Sequence, residues 1–260
     1  MLALVAAVLL ASSPFTPVPG FEGRLVHALA GGRDQLFVVS RGPDGVQRLD
    51  LLALPGLGRE DVTARLRSGT ASIQELAWDE TQAELWVFNS SDSGADCYSS
   101  ALEIKRRYLG SWPHPEPFLV RRQALLDQAE RAAAKDAVGS GTSLWVVAAA
   151  GKTGFAGASN GGAYLIDRGR TRRVLAPAAL SGGVRSLAVG ACAVWLSDGR
   201  GLVALDARSG RRRRMVNQSS RQSIIEVGAA SAIVFIASED GGLAMAPEAS
   251  LLKDVKCPRH

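Results

Sequence analysis

Two pairs of adjacent carboxylates, Asp79–Glu80 and Glu239–Asp240, are the side chains best suited to reaction chemistry in this sequence. Paired carboxylates cleave glycosidic bonds when one donates a proton and the other attacks or activates water. Both pairs fall between apolar runs, where turns and solvated acids are common. The histidines, His27, His114 and His260, are far apart. His27 lies within an apolar segment and fits a structural histidine. No HExxH, GxSxG, Walker or dinucleotide pattern is present. Gly151-Lys152-Thr153 looks like the tail of a phosphate loop, but Val146 stands where the upstream glycine is required. The loop Ser91–Asp96 is rich in oxygen ligands without matching an EF-hand. Cys97, Cys192 and Cys257 form no CxxC pair, so no structural metal site is expected.

The other chemically distinctive groups are basic. Arg168, Arg170, Arg172 and Arg173 form one cluster, and Arg211, Arg212, Arg213 and Arg214 form another. Residues 1–100 carry 7 basic and 12 acidic side chains, whereas residues 101–260 carry 23 and 13, so the charge is concentrated in the second part. Arginine supplies 25 of the 30 basic residues, a bias that genome composition can produce. A nucleic-acid reader would need a recognised module or interleaved aromatics, and neither is seen. Such clusters would suit phosphate, an acidic polysaccharide or anionic lipid, and a solvated surface is the plain alternative.

These residues are spaced by a repeat. Apolar strands with an aromatic at the same place recur as Leu36-Phe37-Val38-Val39, Leu85-Trp86-Val87-Phe88, Leu144-Trp145-Val146-Val147, Val194-Trp195-Leu196 and Val234-Phe235-Ile236. The aromatic spacings are 49, 59, 50 and 40 residues. A shorter strand precedes most of them (25–30, 73–78, 184–189, 224–227), and another follows (46–52, 163–166, 202–205, 242–245). A period of about 40–50 residues is that of propeller blades. One small sheet cannot bury both faces, and stacking sheets around an axis buries them. The expected fold is an all-β propeller of five blades, or six if the long interval between Trp86 and Trp145 hides one; the alternative is a β-sandwich. Each aromatic is expected to pack between blades. Both arginine clusters follow the third strand of a repeat, which predicts equivalent outer positions and one shared patch. Residues 118–137 are free of Gly and Pro and rich in helix formers, predicting an inserted helix on the rim, with Leu119, Ala124, Leu125, Gln128 and Ala132 as a partial apolar face.

The chain of 260 residues has 47% apolar residues and a mean hydropathy of +0.07, which excludes a wholly disordered polymer. Residues 2–11 are an apolar run followed by Ser12, Ser13 and Pro14. It is too short to span a bilayer and fits the core of a signal peptide, although no Lys or Arg precedes it. The domains read as a leader over 1–20 and a propeller over 21–260, giving a secreted or periplasmic protein without a transmembrane segment. In an oxidising compartment Cys97 and Cys257 are candidates for a disulfide. Asn89-Ser90-Ser91 and Asn217-Gln218-Ser219 match glycosylation sequons.

Residues Ala193 to Arg211 contain Trp195, a glycine turn and the hairpin Ala204-Leu205-Asp206-Ala207-Arg208-Ser209-Gly210. This segment resembles a blade of the bacterial quinoprotein-like and sensor-type propellers, in which a Trp strand leads into an ALD-x-x-[ST]-G hairpin. Asp206 is expected to accept backbone hydrogen bonds across the turn, and Gly210 to take a left-handed conformation. Arg211–Arg214 stand where the quinoprotein pattern places a Trp, so no quinone or other cofactor is expected. The function expected is that of an exported, non-enzymatic binding protein or scaffold recognising a protein or an anionic surface polymer. The alternative is a lyase or hydrolase acting on a saccharide-like substrate through Asp79, Glu80, Glu239 and Asp240.

Overall fold

In the computed structural model the described residues are 14–67, 73–90, 94–109, 116–135, 144–150, 153–180, 182–217 and 223–252. Apolar runs alternate with Gly and Asp turns, and they fold into five four-stranded antiparallel sheets. Blade 1 is β2 (Leu25–Gly31), β3 (Gln35–Arg41), β4 (Gln47–Ala53) and β5 (Gly58–Asp61). Blade 2 is β6 (Ile73–Asp79), β7 (Glu84–Asn89), β8 (Ala95–Ser99) and β9 (Ile104–Tyr108). Helix α1 (Pro117–Lys135) follows. Blade 3 is β10 (Leu144–Ala150), β11 (Thr153–Ala158), β12 (Ala163–Asp167) and β13 (Arg170–Leu175). Blade 4 is β14 (Ser186–Val189), β15 (Val194–Ser197), β16 (Gly201–Leu205) and β17 (Arg212–Asn217). Blade 5 is β18 (Ile224–Ala230), β19 (Ile233–Ser238) and β20 (Leu243–Pro247), followed by the short helix α2 (Glu248–Leu251). At four of the five junctions neighbouring blades touch through their first strands, which therefore surround the axis. The fold is the expected all-β propeller, with five blades and one inserted helix.

Blade 5 takes its fourth strand from the other end of the chain. Strand β1 (Thr16–Pro17) pairs with β20, Thr16 opposite Met245 and Pro17 opposite Ala244. The Val18 amide adds a bond to the Leu243 carbonyl at 2.8 Å. Phe15, Val18 and Phe21 are buried. This closes the ring, and it corrects the expected boundary at residue 21: chain from 15 to 20 is part of the propeller. The apolar run at 2–11 lies outside the described residues.

The cores lie between blades. Phe37 packs in the cluster shared by blades 1 and 2, Trp195 in that of blades 4 and 5, and Phe235 in that of blades 5 and 1. In blade 3 the equivalent residue is Phe155, not Trp145. Phe155 faces Ala148 and Leu165 in the register that Trp195 holds with Ala188 and Ala204. Strand β10 is thus the innermost strand of its blade, and Trp145 sits at the irregularity where His27, Gln74 and Ile225 sit in other blades. The corrected spacings are 49, 69, 40 and 40 residues, and the one long interval holds α1.

Helix α1 does not ride on the rim. It is wedged between blades 2 and 3, where the first strands lack the packing seen at the other four junctions. Phe118 stacks on Trp86 at 5.3 Å, and Leu119 packs with Trp86, Ala95 and Cys97 of blade 2. On the other side Leu125 and Ala129 meet Ala156 and Ile166, and Ala133 meets Ala158 and Tyr164. The buried helix residues are Leu119, Leu125, Ala129 and Ala133, so of the expected face Ala124, Gln128 and Ala132 are not among them. Small side chains on alternate positions of β11 make room. A Cβ on Gly154 would lie 2.8 Å from a Leu125 methyl.

Candidate functional site

The fourth strand of each blade is solvent-facing on one edge, and charge there opposes edge-to-edge association. That is where the arginines lie. Arg170, Arg172 and Arg173 are on β13, and Arg212, Arg213 and Arg214 are on β17, the outer strands of adjacent blades. Arg168 and Arg211 stand in the turns that lead into them, and Arg168 has a φ of 48°. Arg168, Arg170, Arg172, Arg173, Arg211, Arg212 and Arg213 are exposed.

The two clusters meet at the β16–β17 turn. Asp206 accepts the amides of Arg208 at 3.1 Å and Ser209 at 2.7 Å and the Ser209 hydroxyl at 2.9 Å. The Gly210 amide returns to the Asp206 carbonyl at 2.8 Å, and Gly210 has a φ of +63°. This is the hairpin geometry anticipated for Ala204–Gly210. Burial alone would raise the Asp206 pKa, but these donors and the Arg213 guanidinium hold the carboxyl well below the usual range. Arg172 of blade 3 donates to the Ser209 carbonyl of blade 4 and joins the clusters. One residue departs from the expected patch. Alternation along β13 sends Arg173, opposite Tyr164, to the α1 side of the blade, while Arg172, opposite Leu165, faces blade 4.

The acidic pairs do not converge. Asp79–Glu80 lies in the turn between the first and second strands of blade 2, and Glu239–Asp240 in the turn between the second and third strands of blade 5. In antiparallel blades these turns are at opposite ends of the strands, hence on opposite faces of the ring. Asp79 is buried and structural: it accepts the Thr81 amide at 3.0 Å and hydroxyl at 2.6 Å, and Arg121 of α1 lies 3.4 Å away. Glu80 accepts the Trp78 indole N–H at 2.8 Å. Glu239 and Asp240 are exposed.

A different acid pair, absent from the sequence reading, lies near the axis. Glu226 on β18 accepts the Ser186 hydroxyl of β14 at 2.6 Å and feels the charge of Glu75 on β6. Part of its surface stays open, yet protein encloses it, and this desolvation pushes its pKa up to about 8 despite the Ser186 bond. Glu75 is held by Arg122 of α1, with Nη2 at 2.7 Å from both carboxylate oxygens. The available signal was that Glu75 and Glu226 both stand two residues after the isoleucine that opens their strand.

Cys97 is a free, buried thiol, whereas Cys192 is disulfide-bonded, so the expected Cys97–Cys257 bridge is corrected. Cys257 lies outside the described residues. Burial, with Glu84 alongside as hydrogen-bond acceptor at 3.3 Å, pushes the Cys97 thiol up to about 11 against the opposing pull of Arg106. Burial likewise lowers the pKa of His27. His114, His260, Gly151–Lys152, residues 91–93 of the Ser91–Asp96 loop and parts of both sequons lie outside the described residues. Among the described residues no three His, Cys, Asp or Glu side chains form a group able to hold a metal, and no helix is long and apolar enough to cross a membrane.

No family model and no curated protein matches the chain. Solved structures do. A chain in the crystal structure of the mitotic checkpoint complex is similar at a TM-score of 0.52 and 10% identity, over 90% of this chain and 93% of that one. The β-propeller domain of Myceliophteria thermophila Cps50 (Swd1) gives 0.49 and 12%, over 86% and 97%. Virginiamycin B lyase from Staphylococcus aureus gives 0.46 and 9%, over 89% and 97%. The first of these likenesses, at such low identity, speaks to the fold alone: the chain is a five-bladed β-propeller.

Proposed function

We propose that this protein is an exported, non-catalytic propeller that binds an anionic surface polymer along the arginine edge of blades 3 and 4. The observation that carries this reading is the Arg172 bond to the Ser209 carbonyl, which merges two sequence-distant clusters into one exposed basic surface. Asp206, an acid within that surface, is already engaged by Arg213. A propeller presents its edges and loops as binding surfaces, so the fold permits such a role without specifying it. The disulfide at Cys192 supports an oxidising compartment. Because Phe15 packs into the ring, a leader would have to end before it. Kinship with bacterial quinoprotein-like and sensor-type propellers rests on the Ala204–Gly210 hairpin. The test is retention of the full ring on a sulfated or uronic polysaccharide resin across a salt gradient. The parent is expected to elute at distinctly higher salt than a variant carrying R170E, R172E, R211E and R212E, since exposed charges act through a screened field. Equal elution of the two sinks the reading, and retention only by an acidic protein would replace the polymer with a protein partner.

One observation favours a second reading, a saccharide hydrolase or lyase working at the axis. A carboxyl with a pKa near 8 beside a second carboxylate is the arrangement that proton transfer at neutral pH needs. Turnover of polysaccharide fragments by the parent, lost in Glu226→Gln, would support it. Turnover that survives the substitution would remove Glu226 from the chemistry.

A further inference from the structure

The course of the strands brings the leading end of the chain and two arginine turns to one face of the ring. Blades 1 to 4 are antiparallel meanders, so their first–second and third–fourth turns lie on one face, and the links between blades lie on the other. Arg168, in the β12–β13 turn, and Arg208 and Arg211, in the β16–β17 turn, stand on the first of these faces and are exposed. Strand β20 is the third of its blade and ends on that face. Strand β1 runs antiparallel to it, from Thr16 opposite Met245 to Val18 bonded to Leu243, and therefore begins there. The chain before Phe15 thus leaves the rim of blade 5 on the arginine face, and blade 5 adjoins blade 4. That chain includes the apolar run Leu2 to Ala11, which is too short to span a bilayer. An extended chain reaches about 14 Å from Ala11 to Phe15, so a surface that takes up the run lies close against this face. Acids near the turns are engaged or paired in the ladder: Asp206 by Arg213, and Asp167 opposite Arg170. Glu80 is exposed on the same face, but blade 2 adjoins neither blade 4 nor blade 5.

We propose that this face seats the propeller on a bilayer with anionic headgroups, residues 2–11 entering the apolar boundary beside blade 5 while Arg168, Arg208 and Arg211 meet lipid phosphates. One short apolar anchor holds a protein to lipid only marginally, and a basic patch supplies the second attraction that makes the attachment stable. Each cation near an anionic leaflet strengthens binding about fivefold, and the effect fades within a Debye length, so the short link to the run keeps the turns in range. The inference goes beyond the polymer reading and does not rest on it, because the strand arginines Arg170, Arg172 and Arg212 are not needed for the seat.

The test is sedimentation of the full chain with vesicles of phosphatidylcholine, alone or mixed with phosphatidylglycerol. The parent should bind the mixed vesicles, less so as salt rises, and should bind the neutral ones far more weakly. R168Q/R208Q should weaken binding to mixed vesicles by about tenfold or more while keeping the parental melting temperature and the parental retention on the polysaccharide resin. L4D/L9D, which places charges in the apolar run, should abolish binding to both kinds of vesicle. Equal binding to neutral and mixed vesicles overturns the seat, as does parental binding by R168Q/R208Q or by L4D/L9D. An intact mass showing that cells remove residues 1–11 on export also overturns it. Vesicle binding that survives R170E/R172E/R212E, together with loss of resin retention, supports the seat and leaves the edge to the polymer.

Discussion

Replacing Phe15 with alanine tests whether chain preceding residue 21 closes the ring. The Phe15 side chain is 6% exposed and packs with Ala193, Trp195, Val234 and Ala246 of blades 4 and 5. Cutting a buried phenylalanine back to alanine loses its transfer energy and leaves a cavity, together about 3–5 kcal/mol. Phe15 stands at an outer strand, where neighbours can partly collapse, so about 3 kcal/mol is expected. In a domain of this size each kcal/mol lowers Tm by about 2–4 °C, giving a fall of about 6–12 °C. Calorimetric melting measures it, and urea unfolding should show a lower midpoint at unchanged slope. Deleting residues 1–20 also removes the β1 pairing, the Val18 bond and the Gly20 carbonyl that accepts Arg59 Nη1 at 2.6 Å, and it opens the β20 edge. That chain should be less stable than the parent and prone to associate. A Phe15→Ala Tm within about 2 °C of the parent would refute the closure.

Gly190→Ala should cost about 3 kcal/mol in urea unfolding. Its Cβ would stand 1.9 Å from Glu248 Oε1 and force that buried carboxylate off the Trp195 indole N–H, now at 2.6 Å, and the Cys192 amide, at 3.0 Å. Cys97 should resist alkylation at pH 8 in the folded chain and react only on unfolding or as pH approaches 11, because its raised pKa keeps it a thiol; rapid native-state labelling would contradict this. Glu226 has a folded pKa of about 8 against an ordinary 4.5, so its protonated form favours the fold. That contribution is complete below pH 4.5 and declines as pH rises towards 8, by at most about 1.4 kcal/mol per unit. Unfolding profiles of the parent and Glu226→Gln should therefore diverge across that window, and parallel profiles would disprove the shift. Leu125→Ala, which empties the contact between α1 and Gly154, should destabilise by about 2–4 kcal/mol.

The blade pattern was legible because the aromatic of each second strand faces a small residue of the first strand, Ala30, Ala77, Ala148, Ala188 or Gly228, and that pairing recurs with every blade. It led reading astray at Trp145, since an apolar run with a tryptophan looks alike whether its strand is first or second in a sheet. Only the pairing of Phe155 with Ala148 and Leu165 separates the two. The arginine clusters could be placed after third strands because outer strands tolerate charge, but the side each arginine faces depends on register. Arg172 and Arg173 are adjacent in sequence and lie on opposite sides of a blade.

By itself, then, the sequence determined the architecture: strand and turn periodicity is a local property, written in residues 2–7 apart and repeated until it implies a ring. Tertiary structure alone decided what meets what. Closure by Thr16–Pro17, the wedge of α1 between blades 2 and 3 and the approach of Glu226 to Glu75 all join residues far apart in the chain. Such contacts form because burying the faces of five sheets around one axis fixes where every edge must go. No local pattern of side chains carries that geometry in advance.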